Sequence, residues 1–142
     1  EELRSHFTNC MQHIKMLPIF IDLGYDKESF LSDSLVNKCE VSYAKRIRRN
    51  FKFFKTYSST AIDSFIGKYV SMKSDIGVID YTIQYQIFQS IDNELFEIME
   101  VFWNKWLAFD FEIKNSLKYW DDDFAGEFLD SIKNWISTKN IK

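Results

Sequence analysis

Glycine and proline are scarce in this chain: its 142 residues include only four glycines and one proline. An all-β domain of this length needs a turn about every 8–12 residues, and most of those turns use glycine or proline. So few turn residues cannot supply a sheet of that kind. Helical bundles need few of them, so this scarcity favours helices joined by short connections.

Long apolar runs and cysteines are also few. No apolar run approaches the roughly 18 residues that a membrane-spanning helix requires, and the only cysteines are Cys10 and Cys39. Their spacing matches no zinc or redox motif. Two free, buried thiols in a reducing compartment are one interpretation, and it indicates a cytoplasmic protein. The alternative is a disulfide between Cys10 and Cys39, which would mark a secreted protein.

Sequence signatures of catalysis and metal binding are lacking. The chain contains no Gly-x-Ser-x-Gly, no glycine-rich phosphate loop, no His-Glu-x-x-His and no Glu-x-x-His. His6 and His13 are seven residues apart, which on a helix is about 10 Å and too far for one metal ion. Glu94, Glu97 and Glu100 are interpreted as surface charge near the start of a helix. We therefore predict no catalytic residue, no metal ligand and no cofactor.

Apolar residues are abundant and regularly spaced. They make up 46% of the chain, and 18% of all residues are aromatic, which is ample for a hydrophobic core. They recur every three to four residues almost throughout, which is the periodicity of helices with one buried face. The sequence predicts an all-α fold, in which residues 1–142 form one domain, a bundle of about six to seven helices.

The predicted helices differ in length and in apolar character. They cover about 2–16, 26–38, 40–57, 60–72, 93–119 and 122–138. Pro18 is expected to end the first helix, because the residue before proline avoids helical geometry. The 93–119 helix is apolar over more than half of its girth, so it is predicted to be the long central helix of the bundle. The basic tail at 139–142 is expected to be frayed.

Residues 78–91 carry two conflicting patterns. Ile79, Tyr81, Ile83, Tyr85 and Ile87 alternate with polar residues, as in a strand. Isoleucines also recur there at a spacing of four, as in a helix. Because a single strand without a partner is not stable, we predict a helix.

The predicted helix at 40–57 is strongly basic. Six cations fall within eleven residues: Lys45, Arg46, Arg48, Arg49, Lys52 and Lys55. The apolar stripe of this helix centres on Ile47, so the cations are expected on the opposite side, with Phe53 among them. An exposed aromatic ring between arginines suits an acidic protein partner. It suits equally a nucleic acid, through phosphate contacts and base stacking.

These patterns lead to a hypothesis about function. The predicted partner-binding residues are Lys45, Arg46, Arg49, Lys52 and Phe53. The leading hypothesis is a non-enzymatic helical interaction protein of the inhibitor, immunity or adaptor type, with an acidic protein as its partner. Nucleic-acid binding through the same face is the alternative, although a net charge of −3 makes it a weak signal. A secreted, cytokine-like ligand and a solvated face paired with the acidic segment 92–130 are further alternatives.

Overall fold

The computed structural model describes residues 2–26, 39–75, 79–109 and 125–142. Within these ranges the chain forms six helices and one small sheet. The helices are α1 (Glu2–Asp22), α2 (Val41–Phe51), α3 (Ser59–Lys73), α4 (Thr82–Ile91), α5 (Asn93–Ala108) and α6 (Gly126–Ser137). The strands are β1 (Lys52–Phe53), β2 (Thr56–Tyr57) and β3 (Asn140–Ile141). The predicted all-α class is therefore confirmed. Residues 27–38 of the helix predicted at 26–38 lie outside the described ranges.

An aromatic cluster forms the centre of the core. The ring of Phe65 on α3 lies 4.6 Å from that of Phe88 on α4 and 5.6 Å from that of Phe51 on α2. Trp135 of α6 extends the cluster, since its ring centroid is 6.5 Å from that of Phe51. Such aromatic contacts are stabilising beyond the area they bury. They join α2, α3, α4 and α6 into one core.

Helix α1 continues past Pro18, so the predicted end at this residue is wrong. Proline costs the helix one backbone hydrogen bond, but the stop signal lies further on, at Gly24, whose φ is 86°. The amide of Tyr25 donates to the carbonyl of Phe20, and that of Gly24 donates to the carbonyl of Ile21. This pair of bonds is a glycine-terminated helix cap.

Helix α2 is shorter than predicted, and the chain then turns back on itself. The predicted helix at 40–57 ends at Phe51, after which β1 and β2 pair as an antiparallel hairpin. Phe54 reverses the chain in the left-handed region, at φ 54°. Lys52 and Phe53 therefore lie on the hairpin and not on the helix, which corrects the predicted position of both. Phe54 itself is exposed.

The C-terminal tail is ordered as a strand, so the prediction that it is frayed is wrong. Strand β3 pairs in parallel with β2, with Asn140 opposite Thr56 and Ile141 opposite Tyr57. The amide of Lys142 donates to the carbonyl of Tyr57. Without β3 the edge of the hairpin would carry unpaired backbone groups. The tail thus attaches the hairpin to α6.

Residues Thr82–Ile91 form α4, which confirms the helix predicted within 78–91. The next helix, α5, ends at Ala108, and Phe109 has an extended backbone, so the helix predicted over 93–119 is not continuous. The ammonium group of Lys15 on α1 donates to the carbonyls of Leu107 and Phe109, at 3.0 and 2.7 Å. It thereby satisfies carbonyls that a helix end leaves without partners. Residues 110–119 of the predicted helix lie outside the described ranges.

Both cysteines are free and buried, so the disulfide suggested for Cys10 and Cys39 is not formed. Each thiol has a neighbour of its own. The sulfur of Cys10 lies 3.7 Å from Nε2 of His6, and the thiol of Cys39 donates to the carbonyl of Glu40. The proposal of a stapled, secreted ligand depended on that bridge and therefore loses its basis.

Candidate binding surface

The cations of α2 and the residues of the β1–β2 hairpin form one exposed region, which we call the basic–aromatic surface. It consists of Lys45, Arg46, Arg48, Arg49, Lys52, Phe53, Phe54 and Lys55, all of them exposed. The opposite side of α2 carries Ala44, Ile47 and Phe51, which are buried. This division places the cations of α2 on its solvent side, because burying its apolar stripe fixes the rotation of the helix.

The cations of this surface have no carboxylate partner among the described residues. The four ion pairs there are Lys73–Glu100, Lys105–Glu127, Lys133–Asp130 and Lys139–Glu94. None of them involves α2 or the hairpin. The acidic residues of 92–130 in these ion pairs thus pair with lysines that belong neither to α2 nor to the hairpin. The carboxylates at 110–123 lie outside the described ranges. The alternative of internal pairing gains no support from these contacts.

Tyr43 organises two cations at one edge of the surface. The guanidinium carbon of Arg46 lies 4.3 Å from the centroid of the Tyr43 ring, and Nζ of Lys68 on α3 lies 5.2 Å from it. Cations at these distances are attracted by the negative face of an aromatic ring. No sequence pattern groups Lys68 with the basic helix, since it lies on another helix and meets Tyr43 only through tertiary packing.

These residues surround a surface cavity of about 470 Å³, which we call the Tyr43 cavity. Its lining residues are Cys39, Glu40, Ser42, Tyr43, Arg46, Arg49 and Lys68. Three of them are cations and one, Glu40, is a carboxylate, which accepts a hydrogen bond from the Ser42 hydroxyl at 3.0 Å. The described lining residues therefore give the cavity a net positive charge.

Cys39 contributes an uncharged group to this cavity. Burial raises the pKa of its thiol to about 11, although the nearby charge of Lys68 acts in the opposite direction. Its backbone carbonyl accepts a hydrogen bond of 3.0 Å from the buried amide of Gln84 on α4. The thiol is thus neutral at physiological pH, and it leaves the positive charge of the cavity undiminished.

We expect the native protein to contain two free thiols, with Cys39 reacting slowly. Since only the thiolate reacts, a pKa of about 11 should slow the alkylation of Cys39 at pH 8 roughly a hundredfold relative to an ordinary thiol. Timed iodoacetamide labelling followed by peptide mass spectrometry measures this rate, with the urea-unfolded protein as the control. A Cys10–Cys39 cross-linked peptide in a non-reducing digest would contradict the expectation.

The hairpin tip exposes two large aromatic side chains next to each other. Phe53 and Phe54 are 77% and 86% exposed, and their ring centroids lie 4.6 Å apart in an edge-to-face arrangement. Phe54 adopts a backbone conformation that is uncommon for a bulky residue, and such strain is found most often at functional sites. Adjacent apolar groups left in water at the tip of a turn are typical of interaction surfaces.

A larger groove of about 910 Å³ lies between α5 and α6. Ion pairs join Lys105 with Glu127 and Lys139 with Glu94 at this groove, and Glu97 also lines it. Within the described ranges, no three or more histidine, cysteine or acidic side chains are arranged to hold a metal ion. Among the described residues, three lining carboxylates, Glu94, Glu97 and Glu127, outnumber Lys105, so the charge of the groove is opposite in sign to that of the Tyr43 cavity.

Comparisons with known proteins do not identify this chain: no protein-family model, no curated protein and no solved structure matches it. Of the helices that the structure describes, none is both long and apolar enough to cross a membrane.

Proposed function

We propose that this chain is a non-enzymatic helical interaction protein of the inhibitor, immunity or adaptor type, which binds an acidic protein partner through its basic–aromatic surface. One observation carries the proposal. The cations of α2 are exposed without a carboxylate partner among the described residues, and the chain leads directly from them to the exposed Phe53–Phe54 pair. Arginine and aromatic side chains are the residues that most often dominate the energy of binding.

The anchoring of the hairpin supports this role. Phe53 and Phe54 project from a hairpin whose second strand also pairs with β3, and Tyr57 of that strand packs edge-on against the buried Trp135. A tip anchored in this way loses little conformational freedom on binding. Burying one phenylalanine side chain in an interface contributes about 1.5–3 kcal/mol. The surrounding cations would steer an acidic partner towards the tip.

A double variant tests the surface without altering the Tyr43 cavity. Lys45→Ala combined with Phe53→Ala should reduce the amount of retained partner at least tenfold in affinity capture from the source cell, since it removes one cation and one apolar anchor. Lys133→Ala combined with Leu129→Ala is the matched control, because these two exposed residues lie on α6, away from the surface. Far-UV circular dichroism should be the same for all three proteins.

The comparison between the two double variants decides the outcome. If the α2–hairpin variant retains the same partners as the wild type, the basic–aromatic surface is not the binding site. If the α6 control loses them instead, the site lies on α6. An acidic partner should also be released as the salt concentration rises, because the exposed charges are then screened.

Nucleic-acid binding is the second candidate, and the exposed phenyl rings among cations favour it. Phe53 and Phe54 lie between Lys52 and Lys55, an arrangement that suits base stacking combined with phosphate contacts. Salt distinguishes this candidate from a protein partner, because the affinity for nucleic acid falls linearly with salt on a double logarithmic scale. If the protein fails to retard a labelled single-stranded oligonucleotide at low salt, this candidate is excluded.

A further inference from the structure

The cations of the Tyr43 cavity converge from two helices. Arg46 and Arg49 belong to α2 and Lys68 to α3, and all three line the same space together with the carboxylate of Glu40. Among the described lining residues, three positive charges and one negative charge leave an excess of two positive charges. Like charges that line one space repel one another, and a bound anion would relieve this repulsion.

We infer that the Tyr43 cavity binds a phosphate monoester, carried by a phosphorylated side chain of the acidic partner. This inference rests on the proposed function, because it assigns part of the basic–aromatic surface a specific group to recognise. A phosphate monoester carries a charge of about −1.5 to −2 at neutral pH, which matches the excess charge of the cavity. A carboxylate, with a single charge, would neutralise only half of it.

The donors of the cavity also match the shape of a phosphate group. Arg46 and Arg49 each present a planar fork of donors, which binds the oxygens of phosphate in pairs, and Lys68 adds a more compact charge. Arg46 and Lys68 are already positioned against the Tyr43 ring, so fewer side-chain rotations are lost on binding. The first turn of α2 borders the cavity, and its positive end adds to the attraction.

The size of the cavity indicates that the phosphate is attached to a larger group. Its volume of about 470 Å³ lies within the range of roughly 300–1,000 Å³ that is typical of small-molecule sites. A phosphate group fills only part of this space and leaves room for the side chain and backbone that carry it. The cavity adjoins the exposed cations of α2, so a bound phosphorylated side chain would lie against the same surface as the rest of the partner.

Titrations with small anions test the cavity independently of any partner. The probes are inorganic phosphate and phosphoserine, with glutamate as a carboxylate of similar size, and binding is followed by amide chemical shifts in two-dimensional NMR. Phosphoserine should shift the amides of Ser42, Tyr43 and Arg46. Its affinity should fall as the pH drops through about 6, where the dianion becomes a monoanion.

Matched variants separate the cavity from the general charge of the helix. Arg46→Gln and Lys68→Gln should each weaken phosphoserine binding about tenfold or more, because each removes a charged donor from the site. Lys45→Gln and Arg48→Gln remove the same charge from α2 outside the cavity and should change the affinity less than about twofold. Equal losses in the two sets, or equal affinities for glutamate and phosphoserine, would overturn the inference.

Two further probes identify the source of the phosphate. A phosphoserine peptide should bind at least tenfold more tightly than the same peptide without phosphate, and equal binding would contradict the proposal. Tighter binding of adenosine monophosphate than of the phosphopeptide would support the phosphate site and assign it to a free nucleotide. Lys45→Ala combined with Phe53→Ala should still bind phosphoserine, so that failure of the phosphate site and failure of the partner surface appear in different experiments.

Discussion

Replacing Trp135 with alanine is expected to lower the free energy of unfolding by about 3–5 kcal/mol, the range measured for large aromatic side chains removed from a core. Trp135 is 1% exposed, and its ring contacts those of Phe51 and Tyr57. Its indole nitrogen also donates to Asp92, the residue that caps the start of α5. The substitution therefore opens a void where α2, β2, α5 and α6 meet.

Urea unfolding followed by far-UV circular dichroism measures this loss. Leu129→Ala on the same helix is the control, since Leu129 is half exposed and should contribute no more than about 1 kcal/mol. The amide of Lys142, which bonds to Tyr57, should also exchange its hydrogen faster in the Trp135→Ala variant. If the two variants were equally stable, Trp135 would not be the junction between these elements.

The ambiguous segment at 78–91 illustrates what periodicity can and cannot establish. It predicted a helix correctly, but only part of the isoleucine series that favoured the helix is buried: Ile87 is buried, whereas Ile79 and Ile83 are exposed. Besides Ile87, helix α4 buries Phe88, which meets Phe65 of α3, and Gln84, which bonds to the carbonyl of Cys39. Spacing along the chain reveals the type of element, whereas the choice of face depends on neighbours distant in sequence.

The hairpin could not have been predicted from local signals. Helical spacing continues from Phe51 to Phe54, and neither glycine nor asparagine occupies the position that turns the chain. The turn depends on Phe54 adopting a left-handed conformation, and the hairpin is completed by β3, more than 80 residues later. Sequence analysis therefore predicted that Lys52 and Phe53 are exposed, but placed them on the wrong element.

The candidate site, too, could be predicted only in part from the spacing of residues along the chain. The exposed positions of Lys45, Arg46 and Arg49 follow from amphipathic spacing alone, because the buried stripe of α2 fixes the opposite face. The Tyr43 cavity does not follow from it, since Lys68 comes from α3. A charge pattern within one helix can be read along the chain, but a cavity between two helices requires their relative position.

The protein is expected to lose stability steeply above pH 10, and buried tyrosines are the reason. Tyr69 and Tyr81 are both buried, and their hydroxyls donate to Glu100 and Asp75. Burial first, and the adjacent carboxylate second, raise the pKa of each phenol well above its ordinary value. The folded protein therefore keeps both phenols protonated at a pH where the unfolded chain releases those protons.

Because only the unfolded chain releases these protons, the free energy of unfolding decreases as the pH rises. The contribution of each tyrosine is complete below a pH of about 10, the pKa of an unperturbed phenol, and it decreases above that value by about 1.4 kcal/mol per pH unit. At pH 11 the two tyrosines together should cost about 3 kcal/mol. Urea unfolding at pH 8, 10 and 11 measures the decline.

Tyr69→Phe isolates the contribution of one phenol. At pH 8 this variant should be about 1 kcal/mol less stable than the wild type, because a hydrogen bond to Glu100 is lost. Above pH 10 its stability should fall less steeply, since phenylalanine has no proton to release, and the difference from the wild type should shrink or reverse. Lysines that titrate in the same pH range change the stability of both proteins equally, so their effect cancels in the difference between the two proteins. Parallel declines would mean that the Tyr69 hydroxyl is not buried against Glu100.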